Sequence, residues 1–135
     1  MAKSWVPGPE PGHDVERWEN GGAEVSTMIV EERVYTFLPG KVPVFMAEYE
    51  AGPRQMQMRI LGNMLGYFTS EFGEQNQTVH LWGYESLADR DERRAKLLAE
   101  PDWRTFLGKI LPLLVRQESR ILKPTAFSPI GSQKT

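Results

Sequence analysis

Glu31, Arg33 and Tyr35 stand two residues apart in the stretch Met28-Ile-Val-Glu-Glu-Arg-Val-Tyr-Thr-Phe37. Side chains alternate along an extended chain, so an acid, a guanidinium and a phenol share one face, with Val30, Val34 and Thr36 on the other. The same spacing recurs in Gln77–Tyr84, where Thr78, His80, Trp82 and Tyr84 fall on one side and Val79, Leu81 and Gly83 on the other. His80 has two readings. It is a general acid or base in a lined cavity, tuned by Glu31 and set near Tyr35, or it is a hydrogen-bonded imidazole inside a dimer lumen that fixes sheet register. Glu31 and Arg33 form a buried pair with either a structural or a catalytic role. Trp82 and Tyr84 stack on a planar ligand or fill space.

Other chemistries are poorly served. The chain has no cysteine and two histidines, one of them, His13, far upstream. Thiolate sites and disulfides are excluded, and neither a protein-built metal site nor a bound cofactor is expected. Gly62-Asn-Met-Leu-Gly66 lacks the strand-to-helix context of a dinucleotide fingerprint, and no Ser-His-Asp or P-loop pattern occurs. Met56, Met58 and Met64 read as soft gap-filling core. A net charge of -2 and a sequence pI near 5.7 leave no basic footprint for nucleic acid. No run approaches the roughly 18 apolar residues of a spanning helix. The first residues, with Pro7, Pro9 and Pro11, lack a signal-peptide core. A cytoplasmic protein with no membrane partner is the expectation.

The elements that must hold these residues follow from local pattern. Pro39-Gly40 turns the first strand. Val42, Phe45, Met46 and Tyr49 repeat at helical spacing, with Pro43 tolerable in a first turn, so a helix starts near Lys41. Gly52-Pro53 interrupts it, and Met56, Ile60 and Leu61 mark a second helical piece. Leu65–Phe72 reads as the second strand and Gln77–Tyr84 as the third, joined as an antiparallel hairpin. Ser86 caps a helix whose run through Arg93-Arg94 reads as a solvated charged face. Glu100-Pro101 breaks and restarts it, and Trp103, Phe106, Leu107 and Ile110 form a core stripe. Pro112 ends that helix, and Leu114–Leu122 is the last strand. Residues 1–27 read as a flexible extension, with Met28 an alternative start, residues 28–130 as the domain, and residues 131–135 as a flexible tail.

The order βαββαβ is the ferredoxin-like α+β pattern, an antiparallel sheet with the first and third strands central and both helices on one face. Val30, Val34, Val79 and Leu81 are expected beneath the helices. The opposite face, with Ile29, Glu31, Arg33, Tyr35, Phe37, His80, Trp82 and Tyr84, is then uncovered, a patch that monomers rarely expose. A second copy closing sheet on sheet would cover it.

Met28–Lys41, Leu61-Gly62, Leu65-Gly66-Tyr67-Phe68, Val79–Leu87, Gln117–Leu122 and Pro124–Pro129, in this order, resemble the NIPSNAP family over about residues 28–130. The resemblance implies a ferredoxin-like subunit that dimerises through its sheets into a dimeric α/β barrel, and the chain looks more like the compact bacterial members. Glu32 departs from the leucine common in the family, which is expected to loosen sheet-to-helix packing. The family carries no generally accepted reaction, and its wider superfamily includes cofactor-independent oxygenases, isomerases and haem-degrading enzymes.

Three functions stand open. One is a homodimer binding a small aromatic or apolar molecule in a barrel cavity lined by Glu31, Arg33, Tyr35, Tyr67, His80 and Trp82. Another is a cofactor-independent monooxygenase-like or isomerase-like enzyme with His80 as its acid–base group. The third is a non-catalytic interaction protein.

Overall fold

The computed structural model describes residues 28–131. The expected flexible extension, residues 1–27, and all but Gly131 of the expected tail, residues 131–135, lie outside them.

Nine residues, Ile29–Phe37, form β1. The turn at Leu38–Gly40 leads into α1 (Val42–Glu50), with Pro43 in its first turn, where a missing amide hydrogen costs no helical bond. Gly52 adopts φ 150°, a backbone closed to residues with a Cβ, and so breaks the helix and lets Pro53 start α2 (Pro53–Leu61). β2 (Asn63–Thr69) and β3 (Gln77–Tyr84) form the hairpin. The Ser86 hydroxyl then caps α3 (Leu87–Leu98) by accepting from the Asp89 amide at 3.0 Å. Pro101 opens α4 (Pro101–Ile110), and a 3-10 turn at Leu111–Leu113 passes the chain to β4 (Leu114–Leu122).

The sheet is antiparallel in the order β2-β3-β1-β4, so β1 and β3 are central as the ferredoxin-like pattern requires. Each helical segment of that pattern is split in two, at the Gly52-Pro53 and Glu100-Pro101 breaks. β2 starts two residues earlier than Leu65 and stops at Thr69, because a register shift between Met64 and Gly66 absorbs one residue. Phe72, expected in the strand, lies exposed in the connection.

The facing of the sheet is the reverse of that expected from sequence. The core joins Ile29, Tyr35, Phe37, Trp82 and Tyr84 from the sheet to Phe45, Tyr49, Leu61, Leu97, Trp103, Phe106 and Ile110 from the helices. Val34, Val79 and Leu81 are only half-buried on the open side. Ring area decides this: five large side chains bury more apolar surface than four aliphatic ones, and the charges among them find partners on α3. Glu32 lies on the open face and pairs with Arg120 of β4, so it does not touch the sheet-to-helix packing that it was expected to loosen. Met46, Met56, Met58 and Met64 fill in against the core.

Candidate functional site

The register of β1 against β3 sets Glu31 beside Trp82, Arg33 beside His80 and Tyr35 beside Thr78, while β2 brings Tyr67 alongside His80. All six residues expected to line a site therefore meet. They meet beneath the helices, within one subunit, and not in a lumen between two sheets.

Glu31 is fully buried and carries the densest set of charges in the layer. Arg90 of α3 reaches Oε1 with Nε at 3.1 Å and Oε2 with Nη2 at 3.0 Å. Arg33 Nη1 donates to Oε2 at 2.9 Å. Burial acts to raise the Glu31 pKa, but the hydrogen bonds from Arg90 and the charges of Arg33, Arg90 and Arg94 outweigh it and hold the carboxyl below its usual range. Arg33 Nε also donates to the Tyr35 hydroxyl at 3.0 Å.

His80 is 1% exposed, with the Tyr67 ring stacked on it at 4.4 Å and the Tyr35 ring edge-on at 4.9 Å. The Trp82 indole N–H donates to His80 Nδ1 at 2.7 Å. That bond puts the neutral imidazole's proton on Nε2. Burial, followed by the positive charges of Arg33 and Arg94, pushes the His80 pKa down to about 3. The Nδ1 lone pair is engaged and Nε2 carries hydrogen, so the ring is a hydrogen-bond donor at neutral pH and not a general base. Burial likewise raises the Tyr67 hydroxyl above the ordinary phenol range.

Three buried atoms on this face of β3 have no hydrogen-bond partner among the described residues: Thr78 Oγ1, His80 Nε2 and Tyr84 Oη. Such groups are rare in folded interiors and call for a partner.

Sequence reasoning missed Arg90 and Arg94, which were assigned to a solvated face. Leu97, 1% exposed, marks the inward side of α3, and stepping back three and seven residues from it reaches both arginines. A separate cleft of about 320 Å³ opens between α1, α2 and α4, lined in part by Glu48, Gly52, Met56, Asp102, Phe106 and Lys109. None of the six sequence-derived residues borders it.

The NIPSNAP family model matches residues 30–129. A solved NIPSNAP-like domain protein from Burkholderia xenovorans is 48% identical, with a TM-score of 0.75 over 77% of this chain and 90% of that one. A NIPSNAP family protein from Agrobacterium tumefaciens is 43% identical, with a TM-score of 0.74 over 76% of this chain and 98% of that one. The human NipSnap homolog 3A is 31% identical over 103 residues, 75% of this chain and 41% of that protein. Across the curated relatives from human, Drosophila melanogaster and Caenorhabditis elegans, the chain spans between 21% and 41% of their length. A Nitrosomonas europaea protein described as a candidate antibiotic biosynthesis monooxygenase shares the fold at 14% identity and a TM-score of 0.59. No helix among the described residues is long and apolar enough to cross a membrane. By the family match and by these relatives, this chain belongs to the NIPSNAP family.

Proposed function

We propose that this chain is a homodimeric, small-molecule-binding protein in which each subunit takes its ligand between its own sheet and helices, at Glu31, Arg33, Tyr35, Tyr67, His80 and Trp82. The observation that carries this reading is a buried polar row on β3: His80 Nε2 has no partner among the described residues, and Thr78 Oγ1 and Tyr84 Oη meet only Tyr67 and Arg94, without a hydrogen bond of normal geometry. A ligand offering matching donors and acceptors removes that cost, about 1–3 kcal/mol for each unmet group. The rings of Tyr35 and Tyr67 flanking His80 supply the apolar wall that a small aromatic or apolar molecule needs.

The second copy is assigned to the open face. Val34, Val79 and Leu81 lie half-exposed there, Phe68 is 55% exposed, and most of β4 is bare. Glu32 with Arg120 and Arg116 with Glu118 add opposite charges along one edge, a pattern that a two-fold partner can meet in register. Two sheets stacked about 10 Å apart would bury this layer and close an α/β barrel. His80 contributes a hydrogen bond to ligand in this reading and takes no proton from it.

Native mass spectrometry of protein purified from its own cells tests both parts. A dimer with a small molecule retained on each subunit is expected. A bare monomer after purification without harsh washing contradicts it.

A further inference from the structure

The ligand-binding reading above leaves the charge of the ligand open, and the arginines of α3 supply it. Arg90 and Arg94 lie one helical turn apart on the side of α3 that packs toward the sheet, and Arg33 faces them from β1. Three guanidiniums therefore surround one buried carboxylate, and two of them, Arg33 and Arg90, bond to it. Glu31 is fully engaged by Arg33 and Arg90, and Arg90 has a further partner in Asp91 at 2.9 Å. Arg94 forms no ion pair with another described residue. Even with the exposed Asp91 counted, three positive charges stand against two negative ones, a surplus of one.

Isolated charges are rarely left in a protein interior, because the lost hydration is repaid only by a counter-charge and hydrogen bonds. Arg94 is half-buried, and burial and the neighbouring Arg33 charge hold its pKa below the usual arginine range against the pull of Glu31, which Arg33 and Arg90 already bond. Beside it lies Tyr84, 2% exposed, whose hydroxyl has no hydrogen bond of normal geometry although it is close enough to Arg94 to interact with it. A forked cation next to an unspent hydroxyl donor matches one ligand group. The planar guanidinium meets a carboxylate through two parallel N–H bonds, and the phenol O–H donates to one of the same oxygens.

We propose that the layer between α3 and the central strands binds a small organic monoanion by its carboxylate, with Arg94 as counter-charge and Tyr84 as hydrogen-bond donor. The surplus of one charge sets the monoanion. The aromatic residues of the layer suit a hydrocarbon remainder, and His80 Nε2–H stays free to donate to a second polar atom of a longer ligand.

The test uses the full chain with benzoate as probe, its neutral counterpart benzamide as control, and Arg94→Met, which keeps the length of the buried stem and removes the charge. In excess, benzoate should raise the melting temperature by about 5 °C and benzamide by far less. Arg94→Met should melt higher than the parent without ligand and bind benzoate at least about tenfold more weakly, the factor that 1.4 kcal/mol represents. Equal responses to benzoate and benzamide would overturn the charge assignment while leaving a ligand site in place. If neither compound binds and Arg94→Met melts lower than the parent, Arg94 is a structural cation and the anion site does not exist.

Discussion

Trp82 Nε1 and His80 Nδ1 lie 2.7 Å apart, two residues along one strand, and this bond sets what the imidazole can do. The indole occupies the only ring nitrogen able to accept a proton, and leaves the hydrogen of the other pointing away from it. Trp82→Phe removes the donor, orphans Nδ1 in the core and leaves a gap where the larger ring stood. A loss of about 3 kcal/mol is expected, read as a lower midpoint in urea unfolding. A change under about 1 kcal/mol would mean the bond is not formed in solution.

The depressed basicity of His80 predicts the pH dependence of stability. Its pKa is near 6.5 in the unfolded chain and about 3 in the folded one, so between those values the unfolded state binds more protons. The His80 contribution is complete above pH 6.5 and is lost as pH falls toward 3. Glu31, whose pKa is lowered from 4.5, adds acid sensitivity only below that value, so the interval from 6.5 to 4.5 reports His80. Stability in that interval should fall by about 1.4 kcal/mol per pH unit, and His80→Gln should flatten the slope. A parent protein equally stable at pH 6.5 and 4.5 would show that His80 is free to protonate.

Removing the Glu31 charge should be among the costliest single substitutions in the layer. Glu31→Gln leaves Arg33 and Arg90 without their shared carboxylate and should cost about 3–5 kcal/mol. Combining it with Arg90→Met should recover part of the loss, which a double-mutant cycle in chemical denaturation would measure. Additive losses would show that Arg90 does not depend on Glu31.

A smaller effect tests the local reading of α3. Ser86→Ala removes the hydroxyl that accepts from the Asp89 amide, and a loss of about 1 kcal/mol is expected in the same assay.

Much of this structure was readable from residue pattern. The Pro39-Gly40 turn, the Gly52-Pro53 and Glu100-Pro101 breaks, the Ser86 cap and the limits of β3 and β4 all follow from local chemistry, which needs only neighbours in the chain. The grouping of Glu31, Arg33, Tyr35, His80, Trp82 and Tyr84 on one face was also legible, because alternation fixes it.

Which face turned inward was not. Val30, Val34, Val79 and Leu81 look like core when residues are scored by polarity alone. The other face carries polar atoms on large rings, and its buried charge is tolerated because Arg90 arrives from a helix 59 residues away. That pairing is tertiary, and no strand pattern contains it. The inward course of Arg90 and Arg94 was hidden for the same reason: a run of charged residues resembles a wet helix face until Leu97 fixes which side is dry.

The polar aromatic layer belongs to each subunit and lies under its own helices, whatever closes over the open face. Leu81→Glu places a charge in the middle of that open face and should leave the protein monomeric by light scattering. The decisive measurement is NMR of this variant, following the Trp82 indole proton and the His80 ring from pH 5 to 8. The indole proton is expected to stay protected from exchange, and His80 is expected not to titrate. A rapidly exchanging indole together with a His80 pKa returned near 6.5 would contradict this, because the layer would then depend on a second copy for its burial.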